Sequence, residues 1–260
     1  MRLLVDHKGG KYLVERGRDF HTRYGFVKAD DVSSAEPGSQ LESNTGIKFR
    51  VVDPNITDYL EKARRGPQAM TLKDMSLAAG YAGLHSGSRI FESGTGSGLF
   101  TMYLAHVVYP ETVVTYEVRD DFADIARGNF ERFGVKNVRL ELRDTYQGIG
   151  ERGLDAAFLD LTEPWKVVPN LTEALRVGGT LVSFSPSINQ SRQLAEVLND
   201  GWLHETFETI LRNWKPDTMR PDTRMLGHTG FLTVARKLAE VSPAFSERSE
   251  EKADCRSPTP

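Results

Sequence analysis

The run Ile90-Phe91-Glu92-Ser93-Gly94-Thr95-Gly96-Ser97-Gly98-Leu99-Phe100 is where the chain's chemistry concentrates. An apolar strand pattern enters three alternating glycines and leaves as a helix. With side chains absent there, backbone N–H groups and the helix N-terminus can lie against a nucleotide-like or carboxylate-bearing ligand. Glu117 ends the following strand pattern, about 20 residues on, where a carboxylate accepts hydrogen bonds from two ribose hydroxyls.

Spacing separates the ligands that share this logic. A dinucleotide fingerprint reads G-x-G-x-x-G, whereas Leu99 stands here where the third glycine belongs. Glu92, just before the loop, suits an ammonium group, directly or through water. A ligand with an amino-acid head and an adenosine tail, S-adenosylmethionine, satisfies both carboxylates; a pyrophosphate satisfies neither. The plainer alternative is a glycine turn that only packs a helix on a strand. Arg143-Asp144 follow the third strand pattern and set Asp144 near the adenine edge, a turn cap being its plainer reading. Asp160 follows the apolar Phe158-Leu159 and precedes a rigid Pro164-Trp165 pair. Ligands of open parallel sheets bind outside the carboxyl ends of the strands, so Glu92, Glu117, Asp144 and Asp160 should converge on one crevice.

The elements that must position these acids follow from the pattern. Strands are expected at 89–93, 112–117, 137–142, 154–160 and 180–184, with helices at 99–108, 121–133, 169–176 and 190–199 between or after them. Such alternation implies an α/β fold with a doubly wound, mostly parallel sheet. Runs at 205–211 and 230–235, without a convincing crossover helix, should close it as an antiparallel terminal hairpin. Upstream, helices are expected from Asp53 to about Arg65 and over 72–82. Short β runs at 2–5, 11–15, 24–28 and 48–52 make a small N-terminal β-domain, with a tight hairpin at Gly9-Gly10 and a long loop over 32–46. The division is therefore 1–52, 53–238, and a polar tail, 239–260, that reads as disordered.

Composition narrows the rest. Among 260 residues there are 33 Lys+Arg, 36 Asp+Glu, six His and one Cys, for a net charge of −3. The single Cys255 excludes an intrachain disulfide and a Cys-based zinc site. The histidines are dispersed without ligand spacing, so no metal is expected, and His228 reads as packing or hydrogen bonding. No secretory h-region or membrane-length apolar run is present, and a cytoplasmic location is expected. The tail from Ala239 holds five acids against three bases, so the folded body is nearly neutral.

Several segments resemble the tRNA adenine-N1 methyltransferases that act on the T-loop. They are Tyr59 through Arg65-Gly66-Pro67-Gln68, the loop Glu92–Gly98, Tyr116-Glu117-Val118-Arg119, Leu159-Asp160-Leu161-Thr162-Glu163-Pro164-Trp165 and Gly227-His228-Thr229-Gly230-Phe231. Ser93 stands where many relatives have alanine. The resemblance spans Asp53 to Lys237 and implies a Rossmann-like class I fold with S-adenosylmethionine as cofactor. It places cofactor contacts at Gln68, Gly94, Gly96, Ser97, Gly98, Leu99, Phe100, Glu117, Phe122 and Asp144, and Asp160 at the transfer centre, where it also borders the cofactor. Tyr59 and Trp165 are then candidates to hold a flipped base or shape its entrance, core packing being the alternative for each. The implied substrate is tRNA and the implied assembly a homotetramer, which here must be noncovalent because the folded part lacks cysteine. Phosphate contacts fall to Arg212, Lys215, Arg220 and Arg224, extended by Arg64, Arg65, Lys8 and Lys11. A methyltransferase of protein or small molecules stays open as an alternative. So does a noncatalytic subunit of a tRNA methyltransferase, although such a subunit would not need an intact cofactor loop.

Overall fold

The computed structural model describes residues 1–66, 69–198 and 200–239. The chain forms two compact units that divide between Arg64 and Arg65. In the first, β1 (Arg2–Asp6) and β2 (Lys11–Val14) are followed by β3 (Phe20–Thr22), β4 (Gly25–Val27) and α1 (Ala29–Ser34). Then come β5 (Gln40–Glu42), β6 (Lys48–Val52) and α2 (Ile56–Lys62), so the helix after Asp53 folds with the β-rich unit.

The turn between β1 and β2 sits at Gly9-Gly10 as expected, and Asp6 builds it. Its Oδ1 accepts from the Lys8 and Gly10 amides, each at 2.8 Å, while Gly9 takes φ +80°. The strands order as β2-β1-β6-β5 over a core of Leu4, Val14, Val27, Phe49 and Val51. The stretch 32–46 is not one long loop: it contains the end of α1 and β5, whose Gln40–Glu42 pairs with Arg50–Lys48 of β6. An edge strand with one core-directed residue, Leu41, carries too little apolar alternation to announce itself. β3 was likewise hidden by its length of three residues. Asn55 caps α2 in a reciprocal box with Asp58, whose carboxylate also receives Lys11 Nζ at 2.8 Å.

The second unit begins with α3 (Leu72–Tyr81) and continues through β7 (Ile90–Ser93), α4 (Leu99–Val108), β8 (Val113–Glu117), α5 (Asp120–Phe133) and β9 (Val138–Leu142). A 3-10 turn at Thr145–Gln147 leads to β10 (Leu154–Leu159), and another at Pro164–Val167 to α6 (Val168–Ala174). β11 (Leu175–Ser185), α7 (Ile188–Val197), β12 (Trp202–Phe207), the short pair β13 (Trp214–Lys215) and β14 (Arg220–Pro221), and β15 (Phe231–Lys237) complete it. The seven-stranded order is β12-β15-β11-β10-β7-β8-β9, parallel from β9 to β11 and antiparallel at β15 and β12. Strand order reverses between β7 and β10, so their carboxyl ends open the crevice of a doubly wound sheet.

Several bounds differ from expectation, among them α2 at Ile56–Lys62 and α7 at Ile188–Val197. β12 occupies 202–207 rather than 205–211, because Trp202 is buried in the core while Ile210 and Leu211, which drew the reading toward themselves, are exposed. β11 starts at Leu175, so α6 ends before Arg176. The segment between β12 and β15 carries the β13–β14 pair, with Trp214 opposite Pro221. Of the tail expected over 239–260, residues 240–260 lie outside the described residues, as does Asn199 at the end of the helix read over 190–199.

Gly98 shows why one loop glycine is required. It caps α4 at φ +77°, and a Cβ there would stand 2.7 Å from the Phe130 ring and 3.0 Å from Ala126 Cβ on α5. Gly98→Ala combines a left-handed backbone cost with overpacking, and should lower unfolding free energy by about 2–4 kcal/mol in denaturant titration. A loss below about 0.5 kcal/mol would contradict this close packing.

Candidate active site

The glycine loop is held from beneath by β8 and α5. Gly94 N–H donates to the Tyr116 carbonyl at 3.0 Å, Thr95 and Thr115 hydroxyls meet at 2.6 Å, and buried Asn129 donates from Nδ2 to the Ser97 carbonyl at 2.8 Å. Gly94 and Gly96 both have positive φ, +93° and +54°. A Cβ on Gly94 would collide with the Asp160 carbonyl oxygen at 2.2 Å, while the space beside Gly96 is open. Gly94 thus permits the approach of β10, Gly96 leaves a bare backbone surface for a ligand, and Gly98 serves helix packing. The Leu99 and Phe100 side chains are buried, Phe100 edge-on to Phe158 at 5.3 Å.

Three of the four expected acids act on one another. Glu92 is 2% exposed within β7 and accepts from the Thr101 hydroxyl at 2.6 Å. Burial pushes its carboxyl up to about 7, and the like charges of Asp160 and Glu117 add to the rise against hydroxyl donors on Thr101 and Thr115. Asp160 sits directly after β10 with one side open to solvent, yet protein crowds the carboxyl; burial and then the Glu117 charge push it up to about 6. Glu92 and Asp160 line one small cavity with Phe100, Phe158 and Phe184. Glu117 is fixed by three backbone donors: Gly96 N–H to one oxygen at 2.8 Å, Val118 and Arg119 N–H to the other at 2.9 and 3.0 Å.

Asp144 lies one strand farther along, where the Arg143 amide donates to the Glu117 carbonyl at 3.0 Å. Its Oδ1 caps the following 3-10 turn through Tyr146 N–H at 2.9 Å, so the plainer reading of this residue is realised; among the described residues no bond engages Oδ2. Phe122 is half-buried on α5 under the Arg119 guanidinium, 3.9 Å from its carbon, and a Cβ at Gly66 would lie 3.4 Å from the same ring and 3.8 Å from Ser97 Cβ. The Arg65-Gly66 segment therefore reaches the glycine loop, whereas Gln68 lies outside the described residues. Trp165 is half-buried against the apolar cluster that includes Val167 and Leu171. Tyr59 belongs to the other compact unit, half-buried on α2. His228 donates or accepts at both ring nitrogens, 2.9 Å from Glu208 and 3.1 Å from the Pro186 carbonyl, and Lys73 on α3 reaches the Thr229 hydroxyl at 2.6 Å. The Gly-His-Thr segment is thereby tied to the end of β11 and to α3.

Sequence reasoning missed Thr101, Thr115 and Asn129. A signal existed for Asn129: it interrupts the buried stripe Ala123, Ala126, Phe130 on α5 with a polar side chain. Thr101 is likewise a fully buried hydroxyl in the most apolar helix of the unit.

The state of Glu92 gives a stability test on the ligand-free protein. A carboxyl raised by folding binds more protons folded than unfolded, so it costs nothing at low pH and its cost grows as pH rises from the ordinary glutamate range through about 7. Glu92→Gln should therefore raise the melting temperature at pH 8 and change it little at pH 5. An equal effect at both pH values would contradict the buried neutral acid.

Comparison with known proteins agrees with this geometry. The family model described as tRNA methyltransferase complex GCD14 subunit matches residues 63–220. A Methanocaldococcus jannaschii protein named tRNA (adenine(57)-N(1)/adenine(58)-N(1))-methyltransferase TrmI is 34% identical, over 96% of this chain and 98% of its own. The Thermus thermophilus tRNA (adenine(58)-N(1))-methyltransferase TrmI is 33% identical, over 90% and 96%. Among solved structures, a SAM-dependent O-methyltransferase from Thermotoga maritima superposes with a TM-score of 0.84 at 30% identity, covering 93% of this chain and 94% of that one. TrmI of Aquifex aeolicus superposes with a TM-score of 0.77 at 26% identity, covering 92% and 96%. The strand-end acids, the intact glycine loop and these near full-length matches together establish that the chain belongs to the tRNA methyltransferase family described by the GCD14 subunit.

Proposed function

We propose that this protein transfers a methyl group from S-adenosylmethionine to N1 of an adenine in the T-loop of tRNA. The observation that carries the reading is the pairing, in one cavity, of a buried acid from β7 with the acid that ends β10, beside a glycine loop bare enough to seat a ligand on its backbone. The names of the relatives supply the nucleoside. The donor residues fit the cofactor. Glu117 is already aimed by three amides and keeps lone pairs for two ribose hydroxyls. Asp144 has a carboxylate oxygen left for the adenine edge, and Glu92 matches an ammonium group. When bound, S-adenosylmethionine supplies an electrophilic methyl group on a sulfonium.

The chain's own residues then orient and stabilise. Gly94, Gly96, Ser97 and the Gly98-Leu99-Phe100 turn offer backbone to the cofactor, with Phe122 flanking it. Orientation of the two reacting atoms supplies much of the rate. Adenine N1 has a lone pair but must leave the tRNA fold, and methylation places positive charge on the ring. Asp160 accepts a hydrogen bond from the exocyclic amino group and stabilises that charge as it develops. Trp165 holds the flipped base or shapes its entrance in this reading.

The substrate's phosphates call for a local basic surface. The excursion from Arg212 to Arg224 is exposed, with Trp214 at 59% and Met219 at 78% exposure beside Arg212, Lys215, Arg220 and Arg224. Aromatic and cationic side chains together suit RNA. On either side of it, Ile210, Leu211, Met225 and Leu226 are also exposed, more apolar surface than one excursion normally presents to water, which supports noncovalent association as a homotetramer. Among the described residues no helix is long and apolar enough to cross a membrane, and a cytoplasmic site of action completes the proposal.

The experiment is to measure cofactor binding and tRNA methylation separately for Asp160→Ala and Asp160→Asn. Affinity for S-adenosylmethionine should stay within about threefold, while methylation falls about 100-fold or more. For the unsubstituted protein the rate should rise with pH through about 6, as Asp160 ionises, and Asp160→Asn should abolish that limb. Intact methylation by Asp160→Ala would sink the assigned role.

A further inference from the structure

The loop that carries Asp160 is gripped at three backbone atoms by three different elements. Asp160 N–H donates to the Ser93 carbonyl of β7 at 2.9 Å, Gln190 Nε2 on α7 donates to the Thr162 carbonyl at 2.9 Å, and Glu163 N–H donates to the Tyr146 hydroxyl at 3.2 Å. The last grip differs from the others in where it originates. Tyr146 lies in the 3-10 turn after β9, and its own amide is the one that Asp144 caps at 2.9 Å. Thr145, next to it and buried, shares a hydroxyl hydrogen bond with Ser93, and its carbonyl accepts from Asn170 Nδ2 at 3.4 Å. The turn is therefore a strut. One end holds the carboxylate assigned to the adenine edge, and the other holds the backbone three residues beyond the carboxylate assigned to the target base.

We infer that Tyr146 is a positioning residue for methyl transfer: through its hydroxyl it couples the seat of the cofactor's adenine, at Asp144, to the placement of the loop bearing Asp160. The inference rests on the reading that Asp160 stands at the transfer centre. Three features separate this role from a structural one. Tyr146 is 39% exposed, so its hydroxyl contributes little to core packing. Among the described residues Glu163 N–H has no other bond, and Glu163 is half-buried, so water can replace the lost partner. The side chain of Glu163 is engaged elsewhere, with Lys166 at 2.7 Å, so the loop cannot recover the grip by turning that carboxylate inward without breaking the pair. What the phenol provides is a fixed position for the loop. A loop set back by an ångström or less costs rate rather than binding, because productive transfer needs the reacting atoms close and in line.

The test uses the full chain with a tRNA transcript lacking modifications. Tyr146→Phe keeps the ring and deletes the acceptor; Gln190→Ala frees the same loop from α7; Asp160→Ala reports on the underlying assignment. Tyr146→Phe should bind S-adenosylmethionine and tRNA within about twofold of the parent, yet lower kcat about tenfold. Combined with Gln190→Ala, the loss should be smaller than the product of the two single losses, because each substitution releases the same loop. A Tyr146→Phe protein with parental kcat, while Asp160→Ala is inactive, overturns the positioning role and leaves the function standing. A Tyr146→Phe loss confined to cofactor affinity overturns it as well. If Asp160→Ala retains the parental rate, the reading of the transfer centre fails instead, and the inference falls with it.

Discussion

The approach of Asp160 to Gly94 is the contact on which the site depends. β7 and β10 are parallel neighbours in a register that sets Leu159 against Ser93, so the chain leaving β10 must cross the start of the glycine loop. It can do so because residue 94 has no side chain: a Cβ would sit 2.2 Å from the Asp160 carbonyl oxygen. The Asp160 amide then finds the Ser93 carbonyl. The glycine loop and the Asp160 carboxylate are thereby built into a single backbone junction, at the point where strand order reverses and a crevice opens. Everything attached to that junction, from the Glu117 amide clamp to the Tyr146 strut, refines a position that the two strands have already set.

Electrostatics gives the junction its use. Glu92, Glu117 and Asp160 are like charges in a crevice that partly excludes water, an arrangement that opposes the ionisation of Glu92 and Asp160. In the proposed function each acid has a positive or hydrogen-bond-donating counterpart that offsets this cost: an ammonium group, two ribose hydroxyls, and an adenine ring that becomes cationic. Glu117 already has its donors in the backbone, while Glu92 and Asp160 are left raised toward neutrality. The same logic explains how a protein with a net charge of −3 works on RNA. Acids are sequestered in the crevice, and cations stand on exposed excursions such as that of Arg212 to Arg224.

Much of this was legible because it rests on local pattern. The helix read over 99–108 has those bounds, and the acids of strands β7, β8 and β10 come together where strand-end logic sets them. What escaped depends on tertiary neighbours. Gly98 looked like part of the ligand cradle, but Phe130, more than thirty residues away, is what forbids its side chain. Thr101 and Asn129 are polar residues on apolar helix faces, and only the structure shows that they serve a carboxylate and a loop carbonyl. β12 was read three residues late because Ile210 and Leu211 look like core in sequence and are exposed in the fold.

The central claim is that this crevice methylates adenine N1 in tRNA, and one measurement addresses it without substitution. The protein is incubated with an unmodified tRNA transcript and S-adenosylmethionine carrying a labelled methyl group, and the tRNA is digested to nucleosides for mapping. The account predicts label in N1-methyladenosine, recovered from the T-loop fragment. Label confined to another nucleoside, or no transfer to tRNA while label passes to a protein or small molecule, would contradict it.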